Sequence, residues 1–207
     1  MNHELLDKAN GNLPRTKEQK EEMIAEAAHH YGCFLHSLGF NWQSDPNSEK
    51  TPYRVAKAWV EDIISGCLTL PPSTTDFPSD YKGMVFEGDI EVNSLCAHHN
   101  LPFVGKAYVA YLPGERQIGL SKMNRIVDWY SRRPQIQEDL THQIHEHINK
   151  VCIGNKGVMV MVKAKHMCCS MRGIKHDSYM VTSSISGAFE DNNDRSRDEF
   201  LQFTKLH

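Results

Sequence analysis

The chain has no run approaching the about 18 consecutive apolar residues that a membrane-spanning helix requires, so no bilayer crossing is expected. It also lacks an apolar signal-like stretch after Met1, and its six cysteines form no paired framework of the kind that staples small secreted domains. These absences point to a reducing, cytoplasmic setting. Excess charge is missing too: 23 Lys and Arg against 26 Asp and Glu leave a net −3, which argues against a nucleic-acid partner. Any anion site must therefore be local. There is no repeat at solenoid spacing, no low-complexity segment, and no evident regulatory domain in the short N-terminal arm. At 207 residues there is room for one domain, or one domain with a helical appendage, burying roughly 70% of its unfolded surface.

What the chain does have is two short clusters that mix Cys and His, Cys96-Ala97-His98-His99 and His166-Met167-Cys168-Cys169. Cys and His at i and i+3 can place sulfur and nitrogen on one ion across a tight loop, and Cys96 and His99 have that spacing. A third donor from Cys168 would complete a zinc site with one position left for water, the arrangement of a catalytic rather than a structural zinc. His98 and His166 then lie beside the metal without being needed as ligands, available to move protons near neutral pH. The competing reading is a set of core cysteines and satisfied histidines. Two mixed clusters in a chain without disulfide spacing favour the metal.

Taken in order, residues 1–15 read as a flexible arm and 16–70 as a helical segment. Thr16 to Gln19 has the form of a capping box, followed by Met23, Ala27, Tyr31, Phe34 and Leu38 at helical spacing up to Gly39. His29 and His30 lie on that helix as surface residues. Thr51-Pro52 predicts an N-cap and first-turn proline for a helix from Tyr53 to Ser65, closed by Gly66. The proline-rich stretch from Leu70 to Pro78 predicts no regular structure, so 71–83 is a linker and 84–207 the main domain. Strands are predicted from Met84 to Asn93 and Phe103 to Leu112, then a helix capped by Ser121 running to Arg132, and a second helix opened by Pro134. Val158 to Lys165 is rich in Val and Met, as in a strand buried on both faces, and Asp177 to Ile185 supplies another strand. A helix from Ser196 to Leu206 ends the chain. The order ββααββ predicts an α+β domain, an antiparallel sheet with two helices on one face.

Charged groups near the clusters suggest a ligand. Ser121, Lys122 and Arg125 fall at a predicted helix start, where backbone N–H groups and cationic side chains together suit phosphate, and Arg172 follows Cys168 by four residues. A solvated helix end is the alternative. Gln137 and Glu138 open the next helix, where a carboxylate either compensates the helix dipole or accepts from a guanidine-like edge. Arg54 and Lys57 read as a solvated basic face. His142, His145 and His147, at i, i+3 and i+5, do not converge on one point and are expected to be solvated, while Cys33, Cys67 and Cys152 are expected to be structural thiols.

Assembled in order, these motifs closely resemble GTP cyclohydrolase I, the family that opens pteridine biosynthesis. The resemblance runs from Thr51 onward through Thr51-Pro52-Tyr53-Arg54-Val55-Ala56-Lys57, Ser94-Leu95-Cys96-Ala97-His98-His99, Pro102-Phe103-Val104-Gly105-Lys106 and Ile118-Gly119-Leu120-Ser121-Lys122-Met123-Asn124-Arg125. It continues through Arg133-Pro134-Gln135-Ile136-Gln137-Glu138-Asp139-Leu140, His166-Met167-Cys168-Cys169-Ser170-Met171-Arg172-Gly173 and Ser196-Arg197-Asp198-Glu199-Phe200-Leu201. The resemblance implies the tunnelling fold, with small sheets joined into a barrel in a homodecamer of two pentamers and active sites between subunits. It implies one zinc per subunit on Cys96, His99 and Cys168, catalytic His98 and His166, and a guanine-anchoring Glu138 with Gln137 beside it. It assigns triphosphate contacts to Lys122, Arg125 and Arg172, places Ser121 near the ribose, and brings Arg54 and Lys57 to the phosphates from a neighbouring subunit. The implied reaction converts GTP to 7,8-dihydroneopterin triphosphate and formate, the first step towards pterins and folate. Two positions depart from the family pattern: Ala97 stands where an acidic residue is usual, and Cys169 where a non-thiol is expected. Other tunnelling-fold enzymes of pterin or deazaguanine metabolism, and a zinc-stabilised oligomerisation module closed by Cys169, are the rival readings.

Overall fold

The computed structural model describes residues 4–205 and divides into two compact units, one ending at Leu70 and the other beginning at Pro71. In the first unit, helix α1 (Lys17–Ser37) opens with the expected capping box, Gln19 N donating to Thr16 Oγ1 at 3.2 Å and Thr16 N to Gln19 Oε1 at 2.9 Å. Its chain reverses at Gly39, whose φ of +86° suits a residue without Cβ. The buried face differs from the predicted stripe. Ile24 and Gly32 are buried, whereas Ala27, Phe34 and Leu38 are exposed. Gly32 decides this face: Trp42 lies over it, with Nε1 donating to Gly32 O at 3.0 Å, and a Cβ there would meet the indole ring at 2.8 Å.

Helix α2 (Thr51–Ala58) has Lys50, not Thr51, at its N-cap, with no capping side chain. It widens into a π turn over Trp59–Ile63 before α3 (Ser65–Leu68), and Gly66 is buried inside α3 instead of ending a helix. The end of α3 is satisfied by the N-terminal arm. Asn12 Nδ2 donates to Gly66 O, Cys67 O and Thr69 O, while Leu13 N and Arg15 N donate to Cys67 O and Leu68 O. Residues 12–15 are thus tied down, contrary to a freely flexible arm.

The second unit runs β1 (Asp76–Pro78), β2 (Val85–Cys96), β3 (Pro102–Leu112), β4 (Arg116–Ile118), α4 (Leu120–Ser131), β5 (Pro134–Gln135), α5 (Gln137–Val151), β6 (Gly157–His166), α6 (Met167–Ser170), β7 (Tyr179–Ile185) and α7 (Ser196–Phe203). The expected ββααββ order is present, in a sheet of order β5-β2-β3-β6-β7 whose four long strands are antiparallel. The stretch expected to be irregular contains β1, which pairs with β4 and is fastened by an Arg116–Asp76 ion pair. Pro78 lies at its end, where a missing N–H is tolerated.

One face of the sheet is covered by α4 and α5, whose Met123, Ile126, Val127, Leu140, Ile144 and Ile148 join Val92, Phe103, Val109, Val160 and Val162 in one core. The other face packs Met84, Tyr108 and Met159 against Phe189 and Phe200 of the C-terminal segment, so a third helix covers the face left open by the sequence reading. Strand β6 is accordingly buried on both sides, as its Val/Met composition predicts. The three fully buried aliphatic residues of α5 each contribute about 1.5–3 kcal/mol, above the roughly 1 kcal/mol of a hydrogen bond, so apolar packing fixes that helix on the sheet.

Two predicted helix starts shift. Gly119, not Ser121, occupies the N-cap of α4, leaving Ser121 inside the first turn. Pro134 belongs to β5, which runs parallel to the end of β2 and pairs Cys96 with Gln135. Ser94 Oγ donates to Arg133 O at 2.9 Å and Ala97 N to Gln135 O at 3.1 Å, so this segment is held extended and α5 starts at Gln137. Helix α7 ends at Phe203; the predicted end at Leu206 lies outside the described residues.

Candidate active site

Strand β2 ends at Cys96, and a tight turn returns the chain into β3. Asn100 N donates to Cys96 O at 2.8 Å, and Asn100 takes a left-handed φ of +53°, which Asn tolerates better than most residues. The turn leaves Cys96 Sγ 3.7 Å from His98 Nδ1 and 3.9 Å from His99 Nδ1. From the other side, α6 begins where β6 ends and brings in Cys168. Donor atoms of Cys96, His99 and Cys168 all lie within 4.8 Å of one another, the first buried, the second exposed and the third half-buried. Cys169 Sγ is 4.0 Å from Cys168 Sγ, on an exposed side chain.

This donor set fits a soft divalent cation such as zinc. Burial, together with the neighbouring Cys96 and Cys169 thiols, pushes the Cys168 thiol up to about 12. Crowded thiols of this kind lose their protons at neutral pH when a cation is beside them. A further contact bears on His99: Arg172 Nη1 lies 2.8 Å from His99 Nε2. A guanidinium can only donate, so Nε2 accepts and the proton of the neutral ring sits on Nδ1. Ligation through Nδ1 needs the opposite tautomer, in which Nε2–H would face the arginine donor. The Arg172 contact and Nδ1 ligation therefore exclude each other.

His166, at the last position of β6, pairs across the sheet with Phe103 of β3. The two rings stack with centroids 4.7 Å apart and planes 8° from parallel. His166 Nε2 is 2.8 Å from Gln137 Oε1. Burial lowers the His166 pKa, and the nearby Glu138 carboxylate opposes the shift. Glu138 itself is exposed on the first turn of α5, one residue from the buried Gln137.

The sequence matches the GTP cyclohydrolase I family profile over residues 27–205. The chain belongs to the GTP cyclohydrolase I family. The match takes in the second half of α1, which lies before the motifs that first carried the resemblance. Among curated relatives, a Pseudomonas aeruginosa protein named GTP cyclohydrolase 1 2 is 44% identical over 190 residues, covering 85% of this chain and 97% of the relative. The GTP cyclohydrolase 1 of Flavobacterium johnsoniae is 42% identical over 195 residues, covering 92% and 84%. That of Porphyromonas gingivalis is 42% identical over 193 residues, covering 90% and 96%. Membership makes the chain an enzyme of the GTP cyclohydrolase I family, and its ββααββ sheet with flanking helices is that family's tunnelling fold.

The other residues that the GTP cyclohydrolase I resemblance assigned are more dispersed. Ser121, Lys122 and Arg125 lie on the first turns of α4, with Ser121 and Arg125 exposed, and Lys122 Nζ donates to Ser73 O at 2.8 Å. Arg54 and Lys57 are exposed on α2 in the first unit, where Lys57 pairs with Glu61 at 3.7 Å. A cavity of about 790 Å³ bordered by Pro72, Trp129, Tyr130 and His147 contains none of the assigned residues.

The α5 histidines depart from expectation. His145 is buried, 4% exposed, and His142, His145 and Glu146 form a second convergent group. The hydrogen bonds of His145 are already complete. Val158 N–H donates to Ser186 Oγ, and Ser186 O–H can donate to His145 Nε2 at 3.0 Å while His145 Nδ1–H donates to Glu146 Oε1 at 3.1 Å. This chain of donors uses both ring nitrogens without a cation. The spacing of the three histidines alone does not reveal it. The available signal was the polar series Gln137, Thr141 and His145 at i, i+4 and i+8, alongside the apolar series Leu140, Ile144 and Ile148.

Proposed function

We propose that the protein hydrolyses GTP to 7,8-dihydroneopterin triphosphate and formate, using one zinc ion per subunit held by Cys96, His99 and Cys168. The observation that carries this reading is the convergence of those three donors beside His98, with His166 and Glu138 set together at the neighbouring ends of β6 and α5. When bound, zinc supplies Lewis acidity that makes water acidic enough to yield hydroxide near pH 7. Glu138 accepts hydrogen bonds from the guanidine edge of the base, while Lys122, Arg125 and Arg172, joined by Arg54 and Lys57 of a neighbouring subunit, hold the triphosphate; Ser121 contacts the ribose. Contacts at both ends of GTP fix C8 of the purine at the reacting position, so they act on rate as well as affinity. His166 and His98 divide the proton transfers, one protonating N7 to make C8 electrophilic and the other serving ring opening and formate loss. An Amadori rearrangement of the ribose and ring closure complete the reaction, which stands at the entry to pterin and folate synthesis.

The same reading includes a cytoplasmic homodecamer of two pentamers with sites shared between subunits. It is supported by the open edge of β7, where Tyr179 and Val181 are more than half exposed, and by exposed Phe34 and Leu38 on α1. Unpaired edges and apolar faces of this kind suit a second copy of the chain. Among the described residues no helix is long and apolar enough to cross a membrane. The test is incubation of the purified protein with GTP, measuring formate and, after oxidation, pterin fluorescence. Both products should appear and both should be lost on chelation. GTP left intact by zinc-loaded protein would overturn the reading.

A further inference from the structure

Gln137 opens a helix, a place where a Gln side chain would ordinarily reach solvent, yet it is 1% exposed. Its amide nitrogen lies 3.0 Å from Val162 O, 3.2 Å from Met180 O and 3.0 Å from Thr182 Oγ1. Two of these partners are carbonyls, which only accept, so the amide's donor end must face them. The hydroxyls agree. Thr141 O–H donates to Gln137 O at 2.9 Å, so the 2.6 Å contact between the two threonines is donated by Thr182, leaving a lone pair on Thr182 Oγ1 for the Gln137 amide. Every donor in this buried group is then committed. The remaining end of the amide, Oε1, can only accept, and it faces His166 Nε2 at 2.8 Å.

We propose that Gln137 is a positioning residue that holds His166 with its proton on Nε2, so that Nδ1 is the nitrogen offered to GTP, and that Gln137 itself does not contact the guanine. The inference rests on the reading of His166 as a proton carrier and goes beyond it by naming the atom and the group that selects it. Phe103 supplies the second constraint, since a ring stacked 8° from parallel fixes the imidazole plane while the amide fixes its rotation within that plane. The hydrogen bond is the same whether His166 is neutral or cationic, because Nε2 carries a proton in both forms.

The test uses zinc-loaded full-length protein. Gln137→Met keeps the side-chain length and removes the hydrogen bonds. We expect kcat to fall about 10²-fold with KM for GTP changed less than about twofold. In a His166→Ala background the same substitution should cost nothing further, since a residue acting through His166 has nothing left to position. A raised KM with unchanged kcat, or a full additional loss in that background, would overturn the inference while leaving His166 as proton carrier. Wild-type turnover in His166→Ala would instead remove the underlying reading. A measurement on the unmutated side chains covers a variant that fails to fold: ¹⁵N spectra of histidine-labelled wild type, with the His166 signals identified by comparison with His166→Ala, should give a protonated Nε2. A protonated Nδ1 opposite a bare Nε2 would overturn the proposal.

Discussion

Among the described residues, the second unit holds two groups of side chains that could ligate a metal, alike on paper and different in what their atoms already do. Cys96, His99 and Cys168 come from a hairpin turn and a short helix after a strand, bringing two thiols and an imidazole together from distant parts of the chain. His142, His145 and Glu146 come from one helix, and their buried member has both ring nitrogens engaged by a hydroxyl and a carboxylate. Proximity of donors does not separate the two groups. The hydrogen-bond account does: the buried histidine of one group is satisfied by protein partners, whereas the crowded thiols of the other would gain from a cation.

The comparison can be broken most severely at Cys168. Cys168→Ala should lose bound zinc and GTP turnover together, the latter on the order of 10³-fold or more, and a variant retaining one zinc per chain by metal analysis would remove Cys168 from the ligand set. Glu138→Ala should keep its zinc and lose about 10²-fold in turnover, because the base is no longer held in place; wild-type kinetics would cancel the guanine assignment. A smaller, different effect is expected at the second group. His145→Ala should leave zinc stoichiometry unchanged and lower stability by about 2 kcal/mol through its lost hydrogen bonds and cavity, read from the denaturation midpoint at unchanged slope. His142→Ala, at an exposed position, should change stability by less than about 0.5 kcal/mol. A drop in bound metal from either histidine variant would erase the distinction between the groups.

What could be read in advance followed from short-range chemistry. The Thr16–Gln19 capping box and the Val/Met strand from Val158 each express their rule within a few residues. The Cys/His convergence went further, because ligand type narrowed the possibilities even for a partner some seventy residues away, as Cys168 is from Cys96. Readings failed where distant contacts chose between local options. Pro134 could open a helix, yet Ser94 and Ala97 hold its neighbourhood extended. Gly66 could end one, yet the arm residue Asn12 satisfies the carbonyls around it. On α1 the conspicuous apolar stripe was misleading, since the buried face is set by the indole that needs Gly32 beneath it. His145 was hidden for a related reason: its partner Ser186, which accepts from Val158 N–H, approaches only once β6 and β7 are paired.

Under the proposed assignments, the arginine resting on His99 would impose an itinerary on the metal and the nucleotide. While the imidazole keeps its hydrogen turned towards sulfur, the guanidinium is moored and its charge is partly spent inside the protein. A cation held at Nδ1 would require the hydrogen on Nε2 instead, and the Arg172 contact would then be lost, leaving the guanidinium available to an anion. One proton, by changing sides on a five-membered ring, would thus make readiness for the nucleotide depend on the metal having come first.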